Sequence, residues 1–223
     1  MREPPKKKFM SKMAIIVLIV GGAISIILQL AIPKPTAPVV PKELQGIVLP
    51  EVKTLQPSFN LTDHDNRPFN LSRLKNRWSF LFFGYTHCPD ICPTVLGEAA
   101  ELFEHLRLDK KIYDSSQLVF ISVDPGRDTP ESLKEYVAYF NKDFTGVTGE
   151  QEQIKKLSKQ LAAVYMISPE KDEDGDYQVF HSSSLFLINP NGEFFAIFKP
   201  EDSSPDKIAK TFLKIHSTFG DNF

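Results

Sequence analysis

Eight consecutive residues, WSFLFFGY (78–85), carry almost no polar surface. A near-continuous apolar run of that length marks a strand covered on both faces, so the chain must supply layers above and below a sheet. QLVFISV (117–123) repeats the pattern. The covering layers can be read as well. In PTVLGEAAELFEHLRL (93–108), Val95, Leu96, Ala99, Leu102, Phe103 and Leu106 fall at helical spacing, and Pro93 sits in the first turn, where its missing N–H is tolerated. PESLKEYVAYFN (130–141) is again helical, with Asp128-Thr129 as its cap.

Before the first buried run, FNLTDHDNRPFNLS (59–72) reads as two short strands around an Asp65-Asn66 turn, with Ser72 capping a brief helix. Downstream, 144–148 reads as a strand and 150–161 as a helix. Residues 177–180, 184–188 and 193–198 read as strands, the last two joined by Asn189-Pro190-Asn191-Gly192, a hairpin signal. An amphipathic helix over 205–219 closes the pattern. This succession predicts an α/β domain over 58–223, a mixed central sheet flanked by helices with an extra hairpin. The order is the thioredoxin-like one, and 42% hydrophobic content in 223 residues suffices for one full core.

The N-terminal end follows different rules. Residues 1–12 carry Arg2, Lys6, Lys7, Lys8 and Lys12 against Glu3, a basic tip of net charge +4. Then comes MAIIVLIVGGAISIILQLAI (13–32), which has no charge and as a helix spans roughly 30 Å, the thickness of a bilayer core. The run is longer than the apolar part of a signal peptide, and Gln29-Leu30-Ala31-Ile32-Pro33 is a poor cleavage sequence, so we read an uncleaved single-pass transmembrane helix. Lysines ahead of it stay in the cytoplasm, which places the rest across a bacterial inner membrane in the periplasm. Pro33, Pro35, Pro38, Pro41, Pro50 and Pro57 then punctuate a linker over 33–57, and proline-rich chain stays extended. A net charge of −2 excludes a nucleic-acid partner, which needs a concentrated basic surface. The acidic KDEDGD stretch (171–176) reads as a solvated loop.

Chemistry concentrates where the first buried run ends. The chain has two cysteines, Cys88 and Cys92, in GYTHCPDICPT (84–94). A pair just ahead of a helix meets free backbone N–H groups and the positive dipole end, which favour thiolate, and residues four apart share a helix face. Three uses compete. A stabilising disulfide would close a loop so short that the entropic benefit is least. Structural zinc needs four ligands, and no second Cys/His cluster supplies them. A soft, low-coordinate ion such as Cu(I) needs two or three donors and prefers thiolate. A third donor must come from elsewhere, and His181 is the candidate, placed at the entry of a central strand on the sheet edge where the cysteine-bearing helix begins. His64, His87, His105 and His216 are better read as turn or surface residues.

GYTHCPDICPT (84–94), ISVDPGRDTP (121–130) and HSSSLFLINPNG (181–192) together resemble the Sco/SenC family, membrane-anchored thioredoxin-fold proteins that bind copper and help assemble the copper A centre of cytochrome c oxidase. The resemblance covers the domain from about Phe59 to Phe219. It implies Cys88 and Cys92 as thiolate ligands, His181 as imidazole ligand, and both Cu(I) and Cu(II) as cargo. It further implies the copper A subunit of the oxidase as partner, alongside other copper chaperones or thiol reductants. Asp124 and Asp128 match the family's acidic pair, which implies partner contact or tuning near the copper loop; local chemistry alone reads them as turn-forming and helix-capping residues. One departure is visible: the family commonly has aspartate just before the histidine, and here Phe180 stands there.

Two function classes follow. The first is a metallochaperone, a carrier rather than an enzyme, with a companion thiol–disulfide reductase role on its partner. The alternative is a periplasmic thiol–disulfide oxidoreductase or redox sensor without copper delivery. Against a general thioredoxin-like catalyst stand the extra residue between the cysteines and the missing proline at 181–183. A peroxidase is disfavoured by Asp90, an acidic neighbour that opposes thiolate.

Overall fold

The computed structural model describes residues 40–171, 177–200 and 204–223. The basic tip, the transmembrane segment over 13–32, the first part of the linker and most of the acidic 171–176 stretch lie outside the described residues. No helix among the described residues is long and apolar enough to cross a membrane.

The two apolar runs become the centre of an eight-stranded mixed sheet. β4 (Trp78–Gly84) and β5 (Ser116–Ser122) pair in parallel, and every residue of both is buried. Around them the sheet takes β1 (Val48–Thr54), β2 (Leu61–Asp63), β3 (Pro68–Phe69), β6 (Thr145–Thr148), β9 (Leu185–Ile188) and β10 (Glu193–Phe198). The order is β1-β10-β9-β4-β5-β6-β2-β3. β6 is parallel to β5, and the remaining pairs are antiparallel. A separate two-stranded ribbon joins β7 (Tyr165–Lys171) to β8 (Tyr177–His181).

Among the described residues, five α-helices accompany the sheets: α1 (Ile91–Leu106), α2 (Lys110–Asp114), α3 (Pro130–Phe140), α4 (Gln151–Gln160) and α5 (Pro205–Phe219). Trp78 and Phe80, on one face of β4, meet Phe212 of α5 edge-on at 5.7 and 4.9 Å between ring centroids, and Phe80 also meets Phe103 of α1 at 5.9 Å. Such aromatic pairs contribute about 0.5–1.5 kcal/mol beyond their buried area, so α1 and α5 are pinned to the strand that leads into the cysteines. The 189–192 hairpin forms as expected, with the Asn189 side chain accepting from the Asn191 and Glu193 amides and Gly192 at φ +79°.

Several boundaries move. The folded unit runs over Val40–Phe223 and includes β1, inside the stretch that proline spacing assigned to the linker. β1 is an edge strand, where Pro50 needs no ladder hydrogen bond. The brief helix at Leu71–Leu74 is capped by Asn70, whose side chain accepts from the Ser72 amide, rather than by Ser72. α1 starts at Ile91, two residues before the sequence reading, because Pro93 fits anywhere in a first turn whose N–H groups lack partners. At α3 the cap is Thr129 in a capping box with Ser132, which leaves Asp128 free for other work. α2 and β7 had no counterpart in the sequence reading.

Candidate metal centre

Gly84 ends β4, and the chain turns through Tyr85–Asp90 into α1. Cys88 lies in that turn and Cys92 in the first helical turn, and both thiols are free. The Cys92 amide donates to the Cys88 sulfur at 3.4 Å, so the pair is held by helix geometry rather than by a covalent link. Gly84 is demanded by this arrangement. A Cβ there would lie 2.5 Å from the Cys92 sulfur and 2.7 Å from the Phe120 ring.

His181 ends β8 in the two-stranded ribbon, not at the entry of a central strand; Ser182–Ser184 separate it from β9. Its ring nevertheless reaches the sulfurs. Nε2 lies 3.2 Å from the Cys92 sulfur, and Nδ1 lies 3.1 Å from the Ser182 carbonyl. A carbonyl can only accept, which assigns the hydrogen to Nδ1 and leaves the Nε2 lone pair aimed at the Cys92 thiol. The orienting acceptor expected of a carboxylate at position 180 is therefore supplied by the backbone, while Phe180 points outward and is 56% exposed. Phe82 and Tyr85 meet the imidazole edge-on, each at 5.8 Å.

The sulfurs of Cys88 and Cys92 and a ring nitrogen of His181 all lie within 4.8 Å of one another. Among the described residues no other trio of His, Cys, Asp or Glu comes together this way. Two thiols and one neutral imidazole form a donor set that suits a soft ion of low coordination number, and a structural zinc would lack its fourth ligand. His87 is solvated beside Thr86, His64 accepts from the Gly146 amide, and His216 lies tilted beside Trp78, 6.4 Å between ring centroids.

Burial sets the electrostatics. It pushes the Cys92 thiol well above its ordinary value, a backbone contact at Tyr85 opposes the shift, and the Cys88 sulfur and the Asp128 carboxylate add to it. The thiolate expected from the helix N-terminus is thus not favoured at Cys92, because that residue is fully buried, with its sulfur packed close to Gly84. Burial likewise lowers the His181 pKa below 6.5, opposed by backbone hydrogen bonds at Ser182 and Phe83, so the ring stays neutral near pH 7. A soft cation that displaces the thiol proton would relieve both costs together.

Asp124 and Asp128 are both 1% exposed and face inward. Asp128 accepts from the Thr86 amide (3.0 Å), the Thr86 hydroxyl (2.6 Å) and the Ser122 hydroxyl (2.6 Å). It therefore fixes the turn that carries Cys88, and a role in direct partner contact finds no exposed carboxylate. Asp124 accepts from Arg127 Nε and from the Tyr177 hydroxyl. Burial and that carboxylate push the Tyr177 phenol up to about 12, keeping it a donor. Gly84, Tyr85, Ser122, Arg127 and Tyr177 were not singled out in the sequence. Gly84, Tyr85, Ser122 and Arg127 lie within two of the quoted motifs and Tyr177 within none, and the roles of all five depend on tertiary contacts.

The SCO1/SenC family model matches residues 49–216. A SCO2-like protein of Rickettsia felis is 39% identical over 202 residues, 90% of this chain and 93% of that protein. Among solved structures, ScoI of Bradyrhizobium japonicum with copper bound is 33% identical with a TM-score of 0.63, covering 72% of this chain and 99% of its own. BsSco, described through a disulfide switch as a member of the Sco family of cytochrome c oxidase assembly proteins, is 26% identical with a TM-score of 0.60, over 78% of this chain and 99% of its own. With three quarters of its length matched and the three donors brought together at one rim of the sheet, this chain belongs to the SCO1/SenC family.

Proposed function

We propose that this chain is a copper metallochaperone that serves assembly of the copper A centre of cytochrome c oxidase. The observation that carries the reading is the convergence of the Cys88 and Cys92 sulfurs and the His181 nitrogen within 4.8 Å. Relatives support it: ScoI of Bradyrhizobium japonicum was solved with copper bound, and BsSco belongs to a family of oxidase assembly proteins. Cu(I) is the cargo. Its arrival displaces the thiol protons, and the neutral imidazole supplies the third donor without a proton to lose. Three donors leave one side of the ion open, so thiols of an acceptor can replace them one at a time. A groove of about 400 Å³ lined by His181, Ser182, Ser183, Phe186 and Lys199 opens beside the imidazole and offers that approach.

The uncharged 13–32 run and the basic tip support a single-pass anchor in a bacterial inner membrane with the domain in the periplasm. An alkaline phosphatase joined after Phe223 is then active in cells, and an inactive fusion contradicts that placement. The anaerobic full chain should bind one Cu(I), and Cys88→Ser or Cys92→Ser should abolish binding. Copper retained one per chain in the double serine variant contradicts the carrier.

A second activity rests on the same sulfurs. Both thiols are free and close enough to pair after a small adjustment, and BsSco carries a disulfide switch. In that step the two thiols become one disulfide, and the two electrons and two protons convert a partner's disulfide to two thiols. Disulfide exchange that survives His181→Ala while copper binding weakens would separate the two activities.

A further inference from the structure

The arm that bears His181 has an attachment of its own. The ribbon's other end, Tyr177, lies four residues before His181 on β8. Arg127 sits against it. The Arg127 guanidinium lies 4.0 Å over the Tyr177 ring, its Nη2 donates to the Tyr177 carbonyl at 3.3 Å, and its Nε donates to Asp124 at 2.5 Å. The Tyr177 hydroxyl donates to the other oxygen of Asp124. Gly126 leaves room for this closure, since a Cβ there would be 3.2 Å from the Tyr177 oxygen. The same guanidinium stands 5.7 Å from the ring of Tyr85, which meets the imidazole edge-on. Asp124 in turn belongs to the turn that holds the cysteine loop: its amide donates to Ser122, whose hydroxyl donates to Asp128.

Arg127 therefore touches both sides of the donor set without touching a donor. We propose that Arg127 is a positioning residue, a latch that holds the β7–β8 ribbon, and with it His181, against the loop that carries the two sulfurs. Unlatched, the ribbon lifts His181 away while Cys88 and Cys92 keep their places on the main sheet. A planar guanidinium suits this task because it stacks on an aromatic face and donates in two directions at once, which an ammonium cannot do. The position is only 17% exposed, so water screens its contacts weakly. The proposal rests on the copper reading only for its consequence, three donors becoming two.

Hydrogen exchange on the full chain tests the latch without copper. In Arg127→Gln, and less in Arg127→Lys and Tyr177→Phe, amides of β7 and β8 should exchange about tenfold faster while those of β4 and β5 do not change. X-ray absorption of the Cu(I)-loaded Arg127→Gln protein should then show two sulfurs and a histidine nitrogen contribution weaker than in the native protein. Ribbon exchange equal to the native rate overturns the latch. So does an equal acceleration throughout the sheet, in whichever of the three variants folds. Native protein that binds no copper defeats the copper-carrier reading instead, and the exchange comparison still judges the latch.

Discussion

The two sides of the donor set are built differently. The sulfurs stand just past the end of β4, on the turn and the first helical turn that follow a strand buried at every position, as its parallel neighbour β5 is. Cys92 is wholly buried, and the turn before it is tied to Asp128 by two hydrogen bonds from Thr86, with a third from Ser122 of β5 fixing the same carboxylate. The imidazole stands on a ribbon of two strands, where Met166 and Phe180 are 57% and 56% exposed. Stability within a fold is unequal, and segments with few buried contacts open first. A carrier gains from that inequality: two donors that stay put retain the ion, and one that can leave lets it go.

The largest effect expected is on the sulfur side. Asp128→Ala leaves the Thr86 amide, the Thr86 hydroxyl and the Ser122 hydroxyl without their acceptor, a loss of about 3 kcal/mol or more in urea unfolding. A cost below about 1 kcal/mol would mean the turn stands without its carboxylate. Gly84→Ala comes next. Its methyl meets Cys92 and Phe120, so about 2 kcal/mol is lost and Cu(I) affinity falls with the displaced sulfur. Native affinity in a folded Gly84→Ala protein would show that the sulfur has slack.

Acid separates the regions further. His64, on the main sheet, accepts from the Gly146 amide through Nδ1, and burial lowers its pKa below 6.5. The unfolded chain takes up this proton first. Stability is thus intact above pH 6.5 and declines as pH falls through 6.5 toward the lowered folded value, by at most about 1.4 kcal/mol per pH unit. His64→Asn keeps an acceptor that does not titrate and should flatten that slope in thermal melts. An unchanged slope would move the acid sensitivity to the ribbon, where His181 is also lowered by burial. The smallest effect belongs to Phe180→Asp. Its side chain is exposed and Ser182 orients the imidazole, so unfolding free energy should shift by less than about 0.5 kcal/mol. A larger shift would make the ribbon more integrated than its exposure indicates.

What could be read in advance follows from range. β4 and β5 announce themselves because burial on both faces leaves an unbroken apolar run, and α1, α5 and the 189–192 hairpin carry local signals of their own. β1 was hidden by Pro50, which an edge position tolerates. β7 was hidden because an exposed ribbon strand with Pro169 shows little alternation. The cysteines and His181 were visible as chemistry, and the structure brings them together. The work of Asp128 was not, since nothing local distinguishes a helix cap from a carboxylate that accepts from Thr86, 42 positions away. Gly84 was equally silent, because what demands it is a sulfur in the first turn of the next helix.

X-ray absorption of the full chain loaded anaerobically with one equivalent of Cu(I) is the most direct test, because it counts donors by element. Two sulfurs and one histidine nitrogen are expected in the native protein, with the nitrogen lost and both sulfurs kept in His181→Ala. A copper shell of sulfur alone in the native protein, unchanged by His181→Ala, would contradict the three-donor site.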